Sequence, residues 1–247
     1  FDDGGGLLMD HFDAMPTYKM NYNHDYYAAL LAHSGFEKML DLYTYDCDLQ
    51  RSDISQLQKV TARAIAKHGI RIDAVDLKQF ERDVEDCYTV YQEAFDGSIG
   101  TVNLSREKFR EMAVSLRQYC DPELFYIARQ QDRAVGIGVI IPDLNPLIKR
   151  WNGRAFPKAW LDFALGRHKR LQRARFTLIA TLPQFRKLGI DAALFQRGVL
   201  DAKRKGYVSA EASWIQEGNL LVQKPLEKIG FHRARTYRLF VSSPKPA

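Results

Sequence analysis

Cysteine is scarce in this chain, and what there is does not pair. Cys47, Cys87 and Cys120 are an odd number of widely separated thiols with no metal-ligand spacing. That argues against a disulfide scaffold and for a reducing compartment, so a cytoplasmic location is expected. His11, His24, His33, His68, His168 and His232 are scattered as well, with no i, i+4 pair and no cysteine companion, so no metal site is expected. No run of about 18 apolar residues exists, which excludes a helical membrane span. The start, Phe1-Asp2-Asp3-Gly4-Gly5-Gly6, is acidic and glycine-rich, unlike a signal peptide, and no initiator methionine precedes it; a processed chain or a fragment is expected. Acidic residues are the minority charge, 30 against 36 Lys plus Arg, for a net charge of +6. The excess favours acidic ligands without choosing among them.

What is plentiful is apolar residue, 46% of 247 positions, enough for one large domain or two small ones. Residues 175–207 organise the rest. Residues 176–182 are apolar and β-branched and read as a strand. Pro183 ends pairing because it has no N–H to give. A short basic loop, 184–189, leads to a helix near Ile190, with Ala192, Phe195, Val199 and Ala202 on one face and Gly206 just past the end. A strand, a basic glycine-containing loop and a helix N-terminus suit an anion, since the first helical N–H groups lack internal partners and carry the positive end of the dipole. Spacing alone leaves an ordinary strand-to-helix turn equally open.

Arg186-Lys187-Leu188-Gly189-Ile190-Asp191-Ala192 resembles the acyl-CoA pyrophosphate loop of the GNAT superfamily of N-acetyltransferases. Arg186 and Gly189 match that family's pattern; Asp191 departs from it, standing where a small residue is usual. The order that follows is also GNAT-like: a strand over 208–215, Asn219, a short helix, Gly230-Phe231, and a last strand over 236–241. The resemblance covers roughly residues 69–242. It implies an α/β (α+β) fold with a mixed, mostly antiparallel twisted sheet flanked by helices.

Upstream, the expected order is a connecting helix over 49–68, a strand from Ile70, a helix over 78–95, a break at Asp96-Gly97-Ser98, and a helix restarting after Asn103 with Ser105 as cap. A hairpin over 124–141 follows, turning at 130–133. Residues 1–48 look like the end of another copy. Asn23 precedes a helix capped by Asp25, Gly35-Phe36 closes it, and an aromatic strand at 42–45 follows. The resemblance is to tandem GNAT proteins with a truncated first copy, which implies a missing upstream half-domain of about 100 residues as partner.

Residues 142–173 are the least family-typical part, an insertion into the 69–247 domain. Residues 149–175 hold nine Lys plus Arg against one acid, Asp162, interleaved with Trp151, Phe156, Trp160 and Phe163. The ordinary reading is an amphipathic helix with solvated charges. A substrate-gating lid, and a nucleic-acid- or anionic-membrane-binding surface, are the less favoured ones.

The resemblance implies acyl transfer from acetyl-CoA, or another acyl-CoA, to a small-molecule or peptide amine. The acyl-pantetheine would enter a gap between 178–182 and 211–215, bonded by the backbones of Ile179 and Thr181. Arg186, Lys187, Leu188, Gly189, Ile190, Asp191 and Ala192 would hold the pyrophosphate, with Asn219 nearby. Glu211 is the expected base, ahead of Glu217. The family's proton-donating Tyr would fall at position 226, which is Leu226; Tyr237 is the expected substitute, with core packing its other role. Asp191 and the absent Tyr keep two alternatives open: a catalytically silent GNAT-like binding or scaffold domain, and a basic surface-binding protein.

Overall fold

The computed structural model describes residues 5–97 and 104–242; Ser98 and Asn103, read as part of a helix break, lie outside the described residues. The elements run β1 (Leu7–Leu8), α1 (Tyr26–His33), β2 (Phe36–Asp48), α2 (Ser55–His68), β3 (Ile70–Ala74), α3 (Phe80–Phe95), α4 (Arg106–Arg117), β4 (Phe125–Gln130), β5 (Arg133–Pro142), α5 (Asn145–Trp151), α6 (Lys158–Ala164), β6 (Arg173–Thr181), α7 (Ile190–Arg204), β7 (Ser209–Gln216), α8 (Leu220–Lys228) and β8 (His232–Ser242). Among the described residues eight strands form one sheet, in the order β1-β8-β2-β7-β6-β5-β4-β3. All neighbours are antiparallel except β6 and β7. This is the mixed, mostly antiparallel sheet expected.

The anchoring helix α7 buries Ile190, Ala193, Leu194, Gly198, Val199 and Ala202. Its packed stripe is rotated from the expected one: Ala192 and Phe195 are only half-buried. The rotation puts Gly198 against the sheet, where an added Cβ would stand 2.3 Å from Ile140 and 2.8 Å from Phe176. A glycine here sets how closely α7 lies on β5 and β6. The helix α2 packs beside α7 on that face. On the other face, Leu116 of α4 and the following Cys120 cluster with Ile141 of β5 and with Tyr18 from the irregular N-terminal segment.

The first 48 residues do not stand apart from the rest. The strand β2 lies between β7 and β8 and pairs with both, and β1 adds to the outer edge of β8. It is also far longer than the expected 42–45 run. Its charged residues find partners across strands, as where both carboxylate oxygens of Asp41 accept from Arg238 at 2.7 and 3.0 Å. The two helix–Gly–strand units, α1–Gly35–β2 and α8–Gly230–β8, face each other across this pairing. Leu42 is seven residues after Gly35, Tyr237 is seven after Gly230, and the two are direct partners, as a local two-fold axis between the strands would place them.

The insertion forms two short helices rather than one. Asn152 and Gly153, both at positive φ, end α5, and Pro157 precedes α6.

Candidate functional site

The parallel ladder between β6 and β7 runs from Arg173–Ser209 to Phe176–Ala212 and then stops. Both strands continue, β6 to Thr181 and β7 to Gln216, so they part with the backbones of 177–181 and 213–216 on either side of a gap. Each wall is held from behind: β5 pairs with β6 as far as Thr181, and β2 pairs with β7 as far as Gln216. Ile179 and Thr181 lie on the β6 side of the gap. Glu211 lies outside it, because pairing persists to Ala212 and the gap opens only at Ser213. Unpaired strand backbone offers donors and acceptors to an extended, amide-containing chain.

The helices α7 and α8 both start beyond the carboxyl ends of these two strands, where ligands bind in open α/β sheets. At α7 the loop passes through Lys187 at φ 65° and Gly189 at φ 79°. Gly189 is required by its own backbone conformation and by Ala64 of α2, whose Cβ would lie 3.2 Å from an added one. The first bond at the start of α7 runs from Ala193 N–H to the Gly189 carbonyl, at 3.0 Å. The N–H groups of Ile190, Asp191 and Ala192 are therefore left at the open end. Leu188 is half-buried against the core. Asp191 is not aimed along the helix axis: its Oδ1 accepts from the Thr181 hydroxyl at 2.8 Å. Arg186 is tied too, its Nη2 donating to the Ala94 carbonyl of α3 at 2.7 Å. Lys187 is exposed and has no ion pair among the described residues. Asn219 is the N-cap of α8 with its side chain making no capping bond.

Beneath the vertex of the gap lies a buried polar cluster. Glu211 is fully buried. Its Oε2 accepts from Thr17 at 2.7 Å and its Oε1 from Ser213 at 2.9 Å. Arg173 and Arg175 stand 3.5 and 3.7 Å away, and Arg175 also donates to Ser213 at 2.8 Å. The N-terminal segment roofs this cluster, with the Tyr18 and Lys19 carbonyls accepting from Arg175 at 3.1 and 3.2 Å. Burial pulls the Arg175 guanidinium below its usual range. Tyr237 is also fully buried, with its hydroxyl donating to the Asn21 carbonyl at 3.2 Å and burial pushing its pKa up. The two expected catalytic residues thus share one face of the sheet, both under this roof. Glu217 lies elsewhere, bonded to Lys38 at 2.7 Å.

A tyrosine reaches α8 from another strand. Leu226 is buried in α8, while Tyr45 of β2, opposite Ala212 at the vertex, reaches α8 with its hydroxyl 3.2 Å from Gln223 Oε1 and 3.5 Å from Glu227 Oε1. Burial, and then the Glu227 carboxylate, raise its pKa. Sequence reasoning missed Tyr45 because nothing local ties it to α8, where Gln223 lies 178 residues further along the chain.

A narrow crevice of about 70 Å³ runs between α3, α4 and the sheet. Phe80, Cys87, Met112, Leu116, Val139 and Leu178 are among its lining, which is almost wholly apolar. Leu178 belongs to β6, at the edge of the gap.

No family profile matches the chain. It resembles a solved GCN5-related N-acetyltransferase from Sphaerobacter thermophilus, with a TM-score of 0.57 at 17% identity, over 87% of this chain and 55% of that one. The chain has the GNAT fold. Two curated proteins are similar in sequence: the bacterial ceramide synthase of Caulobacter vibrioides, 24% identical over 247 residues (95% of this chain and 62% of that protein), and protein YghO of Escherichia coli, 27% identical over 244 residues (95% and 61%). The GNAT-fold chain therefore spans about three fifths of the length of the curated relatives it matches.

Proposed function

We propose that this chain is an acyltransferase that moves an acyl group from an acyl-CoA to an amine. The observation that carries the reading is the gap that opens beyond Phe176 and Ala212, with two helix N-termini at its open end. The pantetheine arm lies along the gap, and the pyrophosphate meets the N–H groups at the start of α7 with Lys187 beside them. The amine nitrogen attacks the thioester carbon, the C–N bond forms, and the C–S bond breaks. The amine's proton passes to Ser213 while Ser213 gives its own to Glu211, so Glu211 acts as base through the hydroxyl it already holds. The departing thiolate takes a proton from Tyr45, which is resupplied from solvent past Glu227. Tyr237 packs the core.

The apolar lining of the narrow crevice next to Leu178 favours an apolar group on the substrate over a polar one. The name of the Caulobacter relative agrees, since a ceramide is an N-acylated long-chain amino alcohol. A second reading, a silent CoA-binding domain, draws on the fastened Arg186 and on Asp191.

Calorimetric titration with acetyl-CoA, palmitoyl-CoA and free CoA, followed by thiol release in the presence of sphinganine, separates these readings. Micromolar binding with amine-dependent thiol release is expected. Glu211→Gln should keep CoA affinity and lose about 10²–10⁴-fold in transfer. Binding without thiol release would leave the silent domain, and no binding at millimolar CoA would end both readings.

A further inference from the structure

The helix α6 leaves a large apolar patch in solvent. Trp160 and Ala164, and Leu161 and Leu165, stand four residues apart and so share one side of the helix. All four are exposed, Trp160 at 67%, Leu161 at 46% and Leu165 at 52%, and Phe156 just ahead of them is 84% exposed. The opposite side carries one buried charge, Asp162, beside the half-buried Ala159 and Phe163, whose ring lies 4.8 Å from that of His168. Asp162 is buried and accepts from Arg150 at 2.7 Å, the Trp151 indole at 2.8 Å and Arg167 at 2.7 Å. Those three bonds fix the orientation, so the apolar side cannot roll inward without stranding a buried carboxylate.

Around this apolar tip stand Lys149, Arg154, Lys158, Lys169 and Arg170, all exposed and none in an ion pair among the described residues. Protruding aromatic and aliphatic side chains ringed by unneutralised cations suit the boundary between acyl chains and anionic headgroups. A nucleic-acid duplex would engage the cations and leave Phe156, Trp160, Leu161 and Leu165 in water. A second copy docked through α6 would bring two such rings of like charge together. Among the described residues no helix is long and apolar enough to cross a membrane, so contact through this tip is peripheral.

We infer that the Phe156–Trp160–Leu165 tip and its ring of cations form a peripheral docking site for an anionic lipid bilayer. The tip lies at the start of β6 and the basic loop at its end, nine residues on, or roughly 30 Å along an extended strand. The inference does not depend on the catalytic reading above.

The test is co-sedimentation with phosphatidylcholine vesicles made with and without phosphatidylglycerol, with folding checked by circular dichroism. The chain should bind the anionic vesicles, weaken as salt rises, and bind phosphatidylcholine alone poorly. Phe156→Glu with Trp160→Glu should lower partitioning at least about tenfold. The milder Trp160→Phe should keep binding but remove the tryptophan quenching produced by brominated lipid. The proposal is overturned by absence of binding to anionic vesicles, by undiminished binding of the double variant, by unchanged quenching in Trp160→Phe, or by self-association that the double variant abolishes.

Discussion

The units α1–Gly35–β2 and α8–Gly230–β8 share a plan and differ in what they bury. Leu226, four residues before Gly230, is 4% exposed in the main core; Leu31, four before Gly35, is only half-buried, and α1 buries none of its residues. Their strands are nevertheless equal partners, meeting at Leu42 and Tyr237. The difference teaches that the two halves of such a unit are separable. The strand β2 is needed because it backs one wall of the gap and supplies Tyr45, whereas α1 leaves Tyr26, Tyr27 and Leu30 in solvent and contributes little packing here.

If that division is right, the largest effect belongs to the strand. Tyr45→Ala removes a buried ring and its hydroxyl contacts with α8, and should cost about 3–5 kcal/mol in urea denaturation. A cost under about 1 kcal/mol would mean that β2 is a dispensable edge. Next come the matched leucines: Leu226→Ala should lose about 2–5 kcal/mol, and Leu31→Ala less than about 1 kcal/mol. Equal losses would erase the contrast between the helices. The smallest effect is electrostatic. Asp41 of β2 is held below the usual carboxylate range, first by Arg238 of β8 and then by Lys38. A depressed native pKa stabilises fully above the unfolded value of about 3.9 and ceases to do so as pH falls through the native one. Asp41→Asn should therefore lower stability by about 1 kcal/mol at neutral pH, and its melting temperature should converge on that of the parent chain in acid.

Where apolar periodicity and turn residues act locally, the fold was readable: β3, the β4–β5 hairpin, α7 with its glycine entry, and α8 through β8 lie close to their expected positions. The limits of β2 were not readable, because Glu37, Lys38, Asp41 and Asp46 break its apolar pattern. Three of them are satisfied from far along the chain, Lys38 by Glu217, Asp41 by Arg238 and Asp46 by Arg173, each at 2.7 Å. At the candidate site the loop was legible because its chemistry is contiguous. The roof over Glu211 was not: Thr17 bonds it across a separation of 194 residues, and no local pattern announces such a bond. The side of α6 that faces outward was equally hidden, since it is decided by Asp162 finding Arg150, Trp151 and Arg167.

The place of β2 between β7 and β8 has a consequence for how the protein is made. During synthesis this strand leaves the ribosome long before either neighbour exists; one edge stays unpaired until β7 has emerged, and the other until the last strand, which ends at Ser242, has followed. Closing so long a loop is slow, and an exposed strand invites pairing with other chains meanwhile. A nascent chain stalled before β8 should thus be a stronger chaperone client than the finished protein.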